Sequence, residues 1–142
     1  MKKFMIRTLL GISVLTFFAV SASAKLENTV KAVVPFSFTI GDTTLPAGTY
    51  TFEPLSAWNV PNHILVRGTE RKSEAIVLTI EALSRDFQTG TKLEFNQYDN
   101  QYFLSAIWTP GSQSGTEVPK SAAEKSLIKS GAQAKRTTLV LQ

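Results

Sequence analysis

The chain has 142 residues with no cysteine and one histidine, and fifteen basic residues stand against eleven acidic ones. The missing cysteines exclude disulfides, thiolate metal sites and an N-terminal lipid anchor. The basic surplus belongs largely to the first 24 residues, where Lys2, Lys3 and Arg7 precede an apolar run from Leu9 to Val20 and the small residues Ala22, Ser23 and Ala24.

That order predicts a secretory signal peptide over residues 1–24, cleaved after Ala24. The apolar run falls short of the roughly 20 residues that span a bilayer, so no transmembrane span is expected in the mature chain. Residues 25–142 are then expected to form a single β-rich domain, exported to the periplasm or beyond. They hold twelve basic and eleven acidic residues. Near-neutral charge gives no footprint for nucleic acid. Residues 120–142 carry a net +4 and residues 25–119 a net −3.

From Val30 to Ile40 the even positions are apolar and the odd ones mostly polar. That predicts a strand with one face on a core, with an edge or a break at Pro35. Gly41-Asp42 reads as a turn, Thr43 to Leu45 as a short rung, and Leu45 to Gly48 as a second turn with Gly48 left-handed. Tyr50 and Phe52 resume the alternation. A loop containing Trp58 follows, then a strand over 63–67 and a charged turn over 68–73. Glu74 to Leu83 is the most apolar run, and its β-branched content predicts a central strand covered on both faces.

After a loop around Gly90, residues 92–98 and 101–108 form a hairpin with Asp99-Asn100 at its tip. Leu93 and Phe95 share a face on the first arm. On the second, Tyr102, Leu104, Ala106 and Trp108 share one face and Phe103 and Ile107 the other. Residues 109–119 read as a surface loop. Ser121 and Glu124 have the spacing of a capping box, opening a helix over about 121–130 with Ala123, Leu127 and Ile128 as its apolar stripe. Thr137 to Leu141 returns as a strand. The expected fold class is all-β: a single antiparallel β-sandwich or small barrel of about seven strands with one short C-terminal helix.

Two blocks carry a family resemblance. Val34 to Tyr50 has Pro-Phe, Phe, Gly and Leu-Pro-Ala-Gly in fixed order. Leu93 to Trp108 contains Tyr98, Tyr102, Phe103 and Leu104, and is followed by Pro119 to Glu124. Together they resemble an uncharacterised family of small secreted β-rich proteins of acidobacterial type. Where that family has Tyr-Gly-Asp at the hairpin tip, this chain has Tyr98-Asp99-Asn100. The resemblance brings no established activity, so it assigns no catalytic residue.

No catalytic constellation is visible. His63 stands alone, without a nucleophile elbow. One histidine and no cysteine leave zinc and copper short of ligands, and Asp42, Asp86 and Asp99 are scattered over turns. No dinucleotide or phosphate loop is present, and no cofactor is expected. Glu53, Glu81 and Glu94 lie on strands and could pair in space. A carbohydrate-active hydrolase would need two carboxyls about 5–10 Å apart in a cleft. Trp58, Tyr98, Tyr102 and Trp108 sit in a loop, beside a hairpin tip or at a strand end, where aromatics with a polar handle bind partners. The sequence therefore points to a secreted, non-enzymatic binding or envelope-associated domain whose partner is a protein, a glycan or a small apolar ligand. A lipocalin-like carrier and the hydrolase are the alternatives. Strands this short argue against an outer-membrane barrel.

Overall fold

The computed structural model describes residues 29–70 and 73–141, without the side chains of Ala57 and Trp58. The signal peptide expected over 1–24 and the lead-in after it lie outside these residues. The elements are β1 (Val30–Val34), β2 (Phe38–Ile40), β3 (Thr43–Leu45), β4 (Gly48–Pro54), a 3-10 turn (Leu55–Trp58), β5 (His63–Gly68), β6 (Glu74–Leu78), β7 (Ile80–Leu83), β8 (Thr91–Tyr98), β9 (Gln101–Trp108), β10 (Ser114–Glu117), α1 (Ala122–Lys129) and β11 (Lys135–Leu141).

They form two sheets. The first has the order β1-β4-β5-β6, and the second β11-β8-β9-β10-β7 with the β2–β3 hairpin attached to β9. The two sheets do not close into a barrel, so the domain is an all-β sandwich with a C-terminal helix. Among the described residues eleven strands stand where about seven were expected: two predicted strands are split, the short rung Thr43–Leu45 is a strand of its own (β3), and β10 falls in a segment read as loop.

Each split is a corner where the chain changes sheet. The alternating run breaks at Pro35, which has no N–H for a ladder. Val30 to Val34 stay with β4, while Phe38 to Ile40 move to β9 and β3. Phe38 then meets Tyr50 of the first sheet at 5.2 Å and Phe95 of the second at 5.7 Å, edge to face in both cases. One side chain thus ties the two layers through favourable aromatic contacts. Val34, Phe38, Ile40, Tyr50, Phe52, Val66, Leu93 and Phe95 fill the space between the sheets.

The second split corrects the reading of Glu74 to Leu83 as one central strand. The chain turns at Thr79, whose N–H donates to the Asn62 carbonyl at 2.8 Å. β6 becomes the edge of the first sheet and β7 the edge of the second. Ile76, Leu78, Ile80 and Leu83 are all exposed. Apolar composition marked a strand correctly, but it does not distinguish a central strand from two edges.

Two turn expectations also resolve. Gly41 takes the left-handed conformation at φ 56°, and Asp99 does so at the hairpin tip at φ 51°. Gly48 does not: it opens β4 in extended conformation, and the turn before it is held instead by the Tyr50 hydroxyl, which donates to the Pro46 carbonyl at 2.5 Å.

Candidate functional site

The register of β8 on β9 shifts between Glu94 and Phe95. Glu94 pairs with Ala106 and Phe95 with Leu104, which leaves Ser105 as an inserted residue. This β-bulge reverses the parity of β9 midway. Tyr102, Leu104 and Ile107 pack toward the core. Phe103, Ala106 and Trp108 fall on the outer face. The face expected from simple alternation is therefore corrected at its second half. The bulge is pinned by its own bonds: Ser105 Oγ donates to the Glu94 carbonyl at 3.0 Å, and the Val118 N–H donates to the Ser105 carbonyl at 2.9 Å.

The outer face of the second sheet is unusual for a sandwich surface, because Tyr98, Phe103, Ala106 and Trp108 on it are buried. The helix covers one end. Ser121 caps α1 as predicted, its Oγ accepting from the Glu124 N–H at 3.2 Å. The Glu124 carboxylate does not complete the box. It turns to the sheet, where Oε1 accepts from Asn96 Nδ2 at 2.8 Å and from the Tyr98 hydroxyl at 3.0 Å. Glu124 is the buried residue of the helix at 3 % exposure, while the expected stripe residues Ala123 and Ile128 are exposed. The helix docks through a polar bond cluster, with the Tyr98 ring edge-on to Phe103 at 5.7 Å. Burial, then the hydrogen bond to Glu124 and its negative charge, push the Tyr98 phenol up to about 12.

Beside this helix end lies a half-open groove of about 810 Å³. Its floor is Ala106 and Trp108. Trp108 lies flat over Gly115 of the next strand, so close that a Cβ there would come within 2.5 Å of the ring. Glu94 and Glu117 both pair with Ala106, one from each side. Two strand spacings separate their backbones, roughly 10 Å. Lys92 stands beside Trp108 in the register, and Arg136 beside Asn96. Lys120 lines the groove next to the helix, and Asp86 lines it on the other side. None of these six charged side chains forms an ion pair with another described residue; the ion pair among the described residues is Arg67–Glu74 at 3.4 Å.

The far wall is the segment 84–90, which carries Phe87 at 67 % exposure. This wall is fastened to the turn around Gly111. Ser84 N–H donates to the Gln113 carbonyl (2.8 Å), Gln88 N–H to Ser112 (3.0 Å), Gly111 N–H to Gln88 (2.8 Å) and Gln113 Nε2 to Arg85 (2.9 Å). Trp108 Nε1 is the one buried side-chain polar atom among the described residues with no hydrogen-bond partner.

The three sequence-predicted aromatics whose side chains are described lie in different surroundings. Trp108 is a groove wall at 9 % exposure, and Tyr98 is buried under the helix. Tyr102 is on the inner face, its ring stacked on Phe36 at 3.9 Å. Trp58 closes the 3-10 turn, and its side chain lies outside the described part. Of the three carboxylates considered for pairing, Glu53 faces out from β4, Glu81 lies on β7 and Glu94 lines the groove. The partner of Glu94 across the groove is Glu117, which lies in a segment read as loop. Phe87 was also missed, since a lone loop aromatic carries no pattern.

A second concavity, about 360 Å³, opens between the sheets at one end, with Phe52, Ile64 and Ile107 among its lining and Thr79, Glu81 and Thr116 at its rim. His63 is at this rim, its Nδ1 donating to the Pro61 carbonyl at 2.9 Å. Among the described residues no three metal-ligating side chains gather, and no helix is long and apolar enough to cross a membrane. Comparison with protein-family models, with curated proteins and with solved structures returned no match.

Proposed function

We propose that this chain is an exported, non-enzymatic binding domain that holds its ligand in the groove on the outer face of the β8–β9–β10 sheet. The observation that carries the reading is a concave, mixed-charge surface on a sheet face that would ordinarily be flat and solvated. Concavities of about 300–1,000 Å³ with a few convergent polar groups are where ligands settle. Its walls are fastened by backbone bonds, which lowers the ordering cost of binding.

The test is retention of the exported protein on envelope material isolated from the producing cell. The double variant Lys92→Glu/Arg136→Glu reverses charge at the groove without touching the core. Wild-type retention with at least tenfold weaker retention of the variant, at unchanged melting temperature, is the expected result. Equal retention of both sinks the reading.

The end cleft supports a second reading, in which a compact apolar ligand enters between the sheets. Core side chains fill the interior beyond the cleft, so such a ligand would be small.

A further inference from the structure

We infer that the groove is a site for a neutral saccharide, recognised between the Phe87 ring and the Glu94–Glu117 pair. This rests on the groove being the binding face, and it names the class of ligand.

The charge pattern selects the class. Asp86, Glu94 and Glu117 line the groove together with Lys92, Lys120 and Arg136. The signs cancel, yet no two of these groups pair with one another. A polyanion would meet three carboxylates, and a polycation three cationic groups. A hydroxyl donates one hydrogen bond and accepts others, so one ligand rich in hydroxyls satisfies carboxylates and ammonium groups together. Hydrogen bonds to charged groups are the stronger kind, which favours such a ligand over water-filled walls.

The shape agrees. Glu94 and Glu117 flank Ala106, the smallest side chain on the floor, so a ring resting there lies between two acceptors. Trp108 closes the floor beside it. Phe87 offers an exposed aromatic face at the rim, on a segment held by the Gly111 turn. The apolar C–H face of a pyranose covers such a ring and removes its surface from water. No catalytic step is required of the carboxylates; they act as acceptors.

The experiment titrates the exported, isotope-labelled protein with neutral tri- and tetrasaccharides of glucose, N-acetylglucosamine, mannose and xylose, followed by amide and indole N–H shifts. The expected result is a saccharide that shifts Ala106, Glu117 and the Trp108 indole. Its Kd rises at least tenfold in Phe87→Ala and in Glu94→Gln/Glu117→Gln, with melting unchanged. If no saccharide of the panel binds while envelope retention still depends on Lys92 and Arg136, the saccharide inference is overturned and the groove reading stands. Saccharide shifts confined to residues outside the groove overturn both.

Discussion

Glu124 is where the helix is most exposed to a single substitution. Its carboxylate is 3 % exposed, and one oxygen accepts from both Asn96 and Tyr98. Glu124→Ala leaves two donors without an acceptor. The Tyr98 hydroxyl sits under the helix, and a buried orphan costs about 1–3 kcal/mol. Asn96 borders the groove and can recover water, so its loss is smaller, about 1 kcal/mol. The expected destabilisation is the sum of the two, about 2–4 kcal/mol. At a urea slope of ~1.5 kcal/mol per M, the midpoint moves down by roughly 1.3–2.7 M. Glu124→Gln keeps an acceptor oxygen in place and is expected to cost about 1 kcal/mol. Tyr98→Phe keeps the ring on Phe103 and is expected to cost about 1–2 kcal/mol. Urea unfolding of the three variants is the assay. A midpoint for Glu124→Ala within about 1 kcal/mol of wild type would refute the claim that these bonds dock the helix. Equal losses for the Ala and Gln variants would show that the charge matters and the two bonds do not.

Three further outcomes follow from the same structure. The folded Tyr98 phenol titrates at about 12, above its ordinary value of 10, so its contribution is fully present below pH 10 and is lost as pH rises toward 12. The loss is at most about 2.7 kcal/mol at 1.36 kcal/mol per unit, and denaturation midpoints between pH 9 and 12 should fall more steeply in wild type than in Tyr98→Phe. Gly115→Ala places a methyl 2.5 Å from Trp108 Cε3; a cost of about 1–3 kcal/mol and a changed near-ultraviolet dichroism are expected, and an unperturbed spectrum would contradict the stacked geometry. Phe38→Ala removes the contact shared by Tyr50 and Phe95 and is expected to cost about 3–5 kcal/mol in calorimetric or denaturant unfolding.

Local chemistry was legible where one residue decides the backbone. Pro35 broke the first strand, Gly41 and Asp99 took left-handed turns, and Ser121 capped the helix. Parity was legible until Ser105, because a single inserted residue in an apolar strand leaves no mark on composition yet moves every later side chain to the other face. Glu124 had two partners of equal standing in sequence, the Ser121 N–H and the sheet, and only tertiary packing decides between them. The site was less legible. Trp108 was singled out for its position, but Glu94 and Glu117 meet across Ala106 only once β10 exists, and β10 lies in a stretch rich in Ser and Gly with little strand propensity.

The features hardest to see in sequence are the ones that make the groove. Without the bulge, Ala106 and Trp108 would point into the core and Ile107 would face solvent. Without β10, Glu117 would have no fixed position, and Trp108 would have no Gly115 to lie on. Without the Glu124 bonds, the Tyr98 hydroxyl would lose its acceptor and the helix its anchor on the sheet. Each of these places an apolar or charged group where a simple sandwich would not put it, and each has a cost that the fold must offset. A solvated sheet face needs none of them. Their convergence around one volume is the physical reason to look for a ligand there, ahead of the exposed edge strand at Ile76 and Leu78.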